Sequence, residues 1–219
     1  QCILDRSIRR QRQMCIETEL RDRYTLEVTT GETEVTIRGE GAGELPTDDT
    51  NLIVRTLRES LEWVGAPQIG VRLTCTNVIP QGAGLGSSAA AIVGGIALAR
   101  AIIQEPNALE ERAMLEIATS IEGHPDSVAA VIHGGVCLSY MDGENPHAVR
   151  VRVASDANGR PVLRPLIMCP NRTLSTTTAR AILNPEVRRR DATHNIARAA
   201  LLVPVSYTHL TLPTNREVE

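Results

Sequence analysis

Across 219 residues the chain is 42% hydrophobic and carries 26 acidic against 23 basic side chains, a net charge of −3. That length and apolar content suffice for a buried core in one large domain or two small ones. The charge balance argues against a nucleic-acid surface, since the one dense basic run (RSIRRQRQ, 6–13) has no interleaved aromatic residues; no apolar run is long enough to cross a membrane.

Residues 24–30 (YTLEVTT) and 33–38 (TEVTIR) alternate apolar and polar side chains around Gly31, which predicts a half-buried β-hairpin. Asp48, Asp49 and Thr50 precede NLIVRTLRESLEWVG, where Ile53, Leu57, Leu61 and Val64 share one helical face and Gly65 supplies the stop. VRLTCTNVI alternates through Val71, Leu73 and Cys75, a strand that runs into Pro80 and a glycine loop. From Ser87 to about Ile103 the chain reads as a helix so rich in alanine and glycine that its neighbours must approach its backbone closely. Asn107 opens another helix, NALEERAMLEIATSIEG, amphipathic through Leu109, Met114, Leu115, Ala118 and Ile121. In GHPDSVAAVIHGG, Asp126 is the expected N-cap of a short helix that Gly134 stops. GVCLSYMDG, AVRVRVAS and VLRPLIMCP follow as strands of a second, mixed unit, closed by helices in LSTTTARAILN and DATHNIARAALLV. The class is α+β, with antiparallel pairs rather than strict βαβ alternation. At Pro204 the last helix should end. The sequence VSYTHLTLPTNREVE then departs in composition and reads as a tail foreign to the domain, as does the opening QCILDRSIRRQRQMCIE.

Five cysteines (Cys2, Cys15, Cys75, Cys137, Cys169) are odd in number and form no C-x-x-C pair, which points to reduced thiols in a cytoplasmic protein. His133, His147 and His209 have no metal-ligand spacing. The most informative stretch is IPQGAGLGSSAAAIVGG, residues 79–95. There is no lysine in the chain, so a P-loop ending in G-K-[ST] is excluded. A dinucleotide fingerprint fails too: its helix leads to Pro106 and another helix, not to a second strand with an acid. A ligand-free turn and a lysine-free phosphate loop both remain. In the second, glycine bares backbone N–H groups at the positive end of a helix, and Ser87 and Ser88 add hydroxyls suited to phosphate or to magnesium-bound phosphate.

The loop PQGAGLGSSAA resembles P-x-x-x-G-L-G-S-S-x-A, the nucleotide loop of the GHMP small-molecule kinases. IEGHPDSVAAVIHGGV resembles the E-G-H-P-D-N-V-A-P stretch of homoserine kinases, and LSTTTARAILN their L-S-T-x-x-A-R segment. GEGAGELPTDDTNLIVR and HNIARAALLV extend the likeness over residues 17–203. It implies a GHMP-kinase fold, with a ribosomal-protein-S5-like N-terminal domain over residues 17–140 and a partial ferredoxin-like C-terminal domain over 141–203, leaving 204–219 as a non-native tail. It also implies a cytoplasmic enzyme, compatible with a homodimer, that uses ATP and Mg2+ to convert L-homoserine to O-phospho-L-homoserine on the route to threonine.

Carried onto this sequence, the likeness wraps Pro80, Gln81, Gly82, Ala83, Gly84, Leu85, Gly86, Ser87, Ser88, Ala89 and Ala90 around the phosphates, with Asn51 by the base. Ser88 and Glu122 would hold magnesium, and His124, Asp126, Thr176 and Arg180 would line the amino-acid pocket. Ser88, Glu122, Asp126 and Arg180 would carry the catalysis. The residue types suit that chemistry, since phosphoryl transfer asks mainly for positioning and charge neutralisation. A zwitterionic substrate needs a carboxylate such as Asp126 for its ammonium and a guanidinium such as Arg180 for its carboxylate. Thr176 and Arg180 are spaced to share one helical face. Ser127 and Ala130 stand where the family pattern has Asn and Pro, and the family's first and last motifs are not found here. An impaired fragment is therefore expected; the alternatives are an inactive nucleotide-binding module or another small-molecule GHMP kinase.

Overall fold

The computed structural model describes residues 20–153, 158, 167, 181, 182, 184 and 186–208. Its first sheet contains β1 (Arg23–Thr29), β2 (Glu34–Gly39) and β3 (Gly70–Asn77) in the order β1-β3-β2. β3 runs antiparallel to β1 and parallel to β2. The hairpin expected between β1 and β2 is therefore not formed, because β3 lies between them. Two physical reasons account for this. β3 is the most apolar of the three on its inner face, where Val71, Leu73 and Cys75 are fully buried, so it takes the position flanked on both edges. The link from Thr30 to Thr33 is also long enough to step across a strand: two strand spacings come to about 10 Å, within the reach of four residues. That step passes over Gly70, where any Cβ would collide with the Gly31 carbonyl oxygen. On the outer face, Arg72 of β3 bridges Glu27 and Glu34, its register partners on the two flanking strands, at 3.0 Å each.

Between β2 and β3 lies α1 (Leu52–Trp63), which buries Ile53, Val54, Leu57 and Leu61. Asn51 caps it, and Gly65, with φ +66°, follows its end as the sequence predicts. After β3 comes α2 (Ser87–Ile102), whose interior glycines are contact points. A Cβ on Gly95 would meet the Ile53 carbonyl oxygen at 2.6 Å, and one on Gly94 would meet the Tyr24 ring at 2.5 Å. The Ala- and Gly-rich composition thus lets α1 and β1 lie directly on the backbone of α2.

The single helix expected from Asn107 is broken. Pro106–Leu109 forms one 3-10 turn, Glu110 is extended, and α3 spans Glu111–Glu122. The break lets Leu109 turn inward and bury completely. α4 (Asp126–His133) follows, with Pro125 at the cap position and Asp126 in the first turn instead of capping it; a proline at a helix start loses nothing by lacking an N–H. α4 packs on β4 (Val136–Asp142), which pairs with β5 (Asn145–Val151) as a two-stranded sheet.

The chain divides into two compact units, and this hairpin up to Arg150 falls in the first, although its sequence pattern suggested the second. In the second unit, α5 (Arg189–Thr208) runs through Pro204, where the sequence predicts a stop. Proline removes one backbone hydrogen bond from a helix, and the bonds of the flanking turns carry α5 past it. The expected strand VLRPLIMCP and helix LSTTTARAILN lie largely outside the described residues.

Candidate active site

The site is assembled where β3 hands over to α2 and where α3 turns into α4. Beyond β3, the loop reaches α2 through Gly82, Gly84 and Gly86, with φ of +64°, +71° and +76°. Left-handed residues at every second position are strained for any side chain with a Cβ, and such a backbone curls its N–H groups into an anion cradle. Among the described residues, no backbone acceptor takes the N–H of any residue from Gly84 to Ala89. A Cβ on Gly84 would meet nothing within 4 Å, and one on Gly86 only the Ala89 Cβ at 4.0 Å. The glycines therefore face open space, unlike Gly94 and Gly95, whose missing side chains are filled by neighbours. Ser87 Oγ donates to Gln81 Oε1 at 3.3 Å and closes the loop on itself.

Ser88, in the first turn of α2, and Glu122, the last residue of α3, come from positions 34 residues apart. They meet: Ser88 Oγ donates to Glu122 Oε1 at 2.8 Å. Gly123, with φ +87°, then reverses the chain toward α4. His124 Nδ1 lies 2.5 Å from Asp126 Oδ1, which also accepts the Ser127 N–H at 2.6 Å. Partial burial would raise the Asp126 pKa, but the Ser127 N–H and the neighbouring His124 outweigh it and hold the carboxyl below the usual carboxylate range. The Asp126 side chain is 60% exposed and that of His124 only 16%. The Asp126 carboxylate is thus held against a histidine that is mostly enclosed.

Among the described residues, no three His, Cys, Asp or Glu side chains gather as a protein-only metal cage would require. One carboxylate and one hydroxyl suit a different ion: Mg2+ takes oxygen ligands, keeps several waters and is completed by phosphate oxygens. Asn51 is 4% exposed and its amide is used within the fold: Oδ1 accepts the Ile53 N–H at 3.0 Å and Nδ2 donates to the Pro46 carbonyl at 2.7 Å. Thr176 and Arg180 lie outside the described residues. An open recess of about 450 Å³ lined by Thr33, Asp49, Arg58 and Gln68 shares no residue with this site. Its Arg58 guanidinium is already bonded to Asp49, Gln68, Thr33 and the Ile69 carbonyl.

Sequence reasoning passed over Asp22. Its Oδ1 accepts the N–H groups of Val78 and Ile79, at 2.7 and 3.0 Å, the residues that lead into the loop. A bond spanning 56 residues leaves no local signature in the chain.

Residues 51–135 match the family described as the GHMP kinases N terminal domain. A homoserine kinase from Streptomyces avermitilis is 41% identical over 185 residues, covering 84% of this chain and 59% of that protein. One from Clavibacter michiganensis is 39% identical over 169 residues, covering 77% of this chain and 52% of that protein. The crystal structure of homoserine kinase from Cytophaga hutchinsonii matches with a TM-score of 0.66 at 22% identity, over 86% of this chain and 59% of that one, a likeness of fold. The chain thus spans less than two thirds of the length of these relatives. Residues 51–135, which hold the glycine loop, Ser88, Glu122, His124 and Asp126, belong to the N-terminal domain family of the GHMP kinases.

Proposed function

We propose that the chain carries the nucleotide site and part of the substrate site of an ATP-dependent L-homoserine kinase, a cytoplasmic enzyme serving threonine synthesis. The observation that carries this reading is the meeting of Ser88 and Glu122 at 2.8 Å beside a glycine loop whose N–H groups are unclaimed. The homoserine kinases named among its relatives support the choice of substrate.

In the reaction, the hydroxyl oxygen of homoserine bonds to the γ-phosphorus of ATP. The bond from that phosphorus to the bridging oxygen of ADP breaks, and the hydroxyl proton is released. The N–H groups from Gly84 to Ala89 and the positive end of α2 bind the phosphate oxygens and fix their direction. Ser88 and Glu122 are the residues that would hold Mg2+, which when bound neutralises charge on the phosphates. Asp126 accepts the substrate ammonium, and its bond to His124 holds both side chains in one orientation. Arg180 takes the substrate carboxylate, with Thr176 beside it in the sequence pattern.

The test is calorimetric and enzymatic. The chain should bind AMPPNP saturably in the presence of magnesium, and a chain extended to the full length of its relatives should release ADP from ATP with homoserine as acceptor. Higher kcat/KM with galactose or mevalonate would move the chain to another branch of the family. Failure to bind AMPPNP would return the glycine loop to a structural turn.

A further inference from the structure

We propose that Asp22 and Tyr24 form a clamp that holds both ends of the glycine loop in register, which makes them positioning residues for nucleotide phosphate. The inference rests on the nucleotide reading of that loop. Asp22 is buried at 8% exposure. Its Oδ1 accepts the N–H groups of Val78 and Ile79, which fixes the chain as it leaves β3, immediately before Pro80. Its Oδ2 accepts the Tyr24 hydroxyl at 3.0 Å.

The Tyr24 ring in turn lies against α2 where Gly94 has no side chain. One end of the loop is thus tied by a carboxylate, and the helix that the other end enters is braced by the Tyr24 ring at Gly94, about two turns further on. Burial, and after it the charge of Asp22, push the Cys75 thiol up to about 12 and raise the Tyr24 phenol above its ordinary value. The Asp22 side chain is itself buried, its two oxygens bonded to the Val78 and Ile79 N–H groups and to the Tyr24 hydroxyl. A cradle built of left-handed glycines has little stiffness of its own, so its geometry must be imposed at its two stems.

Calorimetry with AMPPNP and magnesium separates positioning from folding, because it returns both Kd and the competent fraction. Asp22→Ala should weaken Kd by about tenfold or more at unchanged stoichiometry. Asp22→Asn keeps an acceptor oxygen for Val78 and Ile79 and should restore most of the affinity. Tyr24→Phe keeps the ring on Gly94, loses only the hydroxyl, and should weaken Kd by about threefold; it stands in if Asp22→Ala does not fold. Parental Kd in Asp22→Ala, or in Tyr24→Phe should Asp22→Ala not fold, overturns the clamp alone. So does a loss of stoichiometry with parental Kd in the remaining fraction. No AMPPNP binding by the parent chain overturns the clamp together with the nucleotide reading.

Discussion

Gly95→Ala sets two principles against each other, and the structure decides the sign. Glycine inside a helix is less favourable than alanine by about 1 kcal/mol, so by propensity alone the change stabilises α2. The added Cβ, however, would lie 2.6 Å from the Ile53 carbonyl oxygen and 2.8 Å from the Thr56 Cβ. The first of these is backbone and cannot rotate away, so α1 must retreat by about 1 Å from a core in which Leu57, Leu61, Ile92 and Ile96 are fully buried. Overpacking of that kind costs about 3 kcal/mol at its upper range. The net loss is then about 2 kcal/mol, or a fall in melting temperature of about 4–8 °C for a chain of this size. Urea unfolding followed by circular dichroism at 222 nm measures it directly. A neutral or stabilised Gly95→Ala would refute the claim that α1 rests on the backbone of α2.

Gly84→Val should abolish AMPPNP binding with only about 1–2 kcal/mol of strain in the fold, since its side chain points into open space; calorimetry and a melting curve check both halves. Asp126→Asn should raise the homoserine KM by about 30-fold or more and leave the ATP KM nearly unchanged, whereas Glu122→Gln should lower kcat and shift the magnesium requirement. Steady-state kinetics on a chain extended to the full length of its relatives would tell these apart. The Asp126 carboxyl is held below its ordinary value. Its contribution to stability is therefore complete above about pH 4 and is lost as pH falls through the lowered folded value. Acid titration of unfolding should thus show a shallower loss below about pH 4 in Asp126→Asn than in the parent.

The elements were legible wherever a local rule determined them. Ile53, Leu57 and Leu61 mark α1 by spacing alone, and the glycines at 94 and 95 announce close packing because nothing else accounts for them inside a helix. The pairing of strands was not legible. Two alternating segments around Gly31 satisfy the hairpin rule, and only the deeper burial of β3, a property of the assembled core, overrides it. The break at Glu110 was hidden for a related reason, since Leu109 fits the helical stripe and departs from it to bury. In the site, Ser88 and Glu122 were readable as a pair through the motifs that carry them, and the structure brings them together. Asp22 was unreadable, because a carboxylate bonded to backbone N–H groups leaves no trace in the identity of its partners.

The passage of the Thr30–Thr33 link over Gly70 has a kinetic side. β1 and β2 are neighbours in sequence and would meet within microseconds as a local hairpin, long before the chain through α1 closes to deliver β3. That early pair occupies the slot β3 needs, so it must open again before the sheet can form. Folding should accordingly pass through an off-pathway species whose population falls when the link is stiffened against a tight turn. A Gly31→Pro chain, unable to close the hairpin readily, should then refold faster than the parent in the fraction that starts with the new Thr–Pro bond trans.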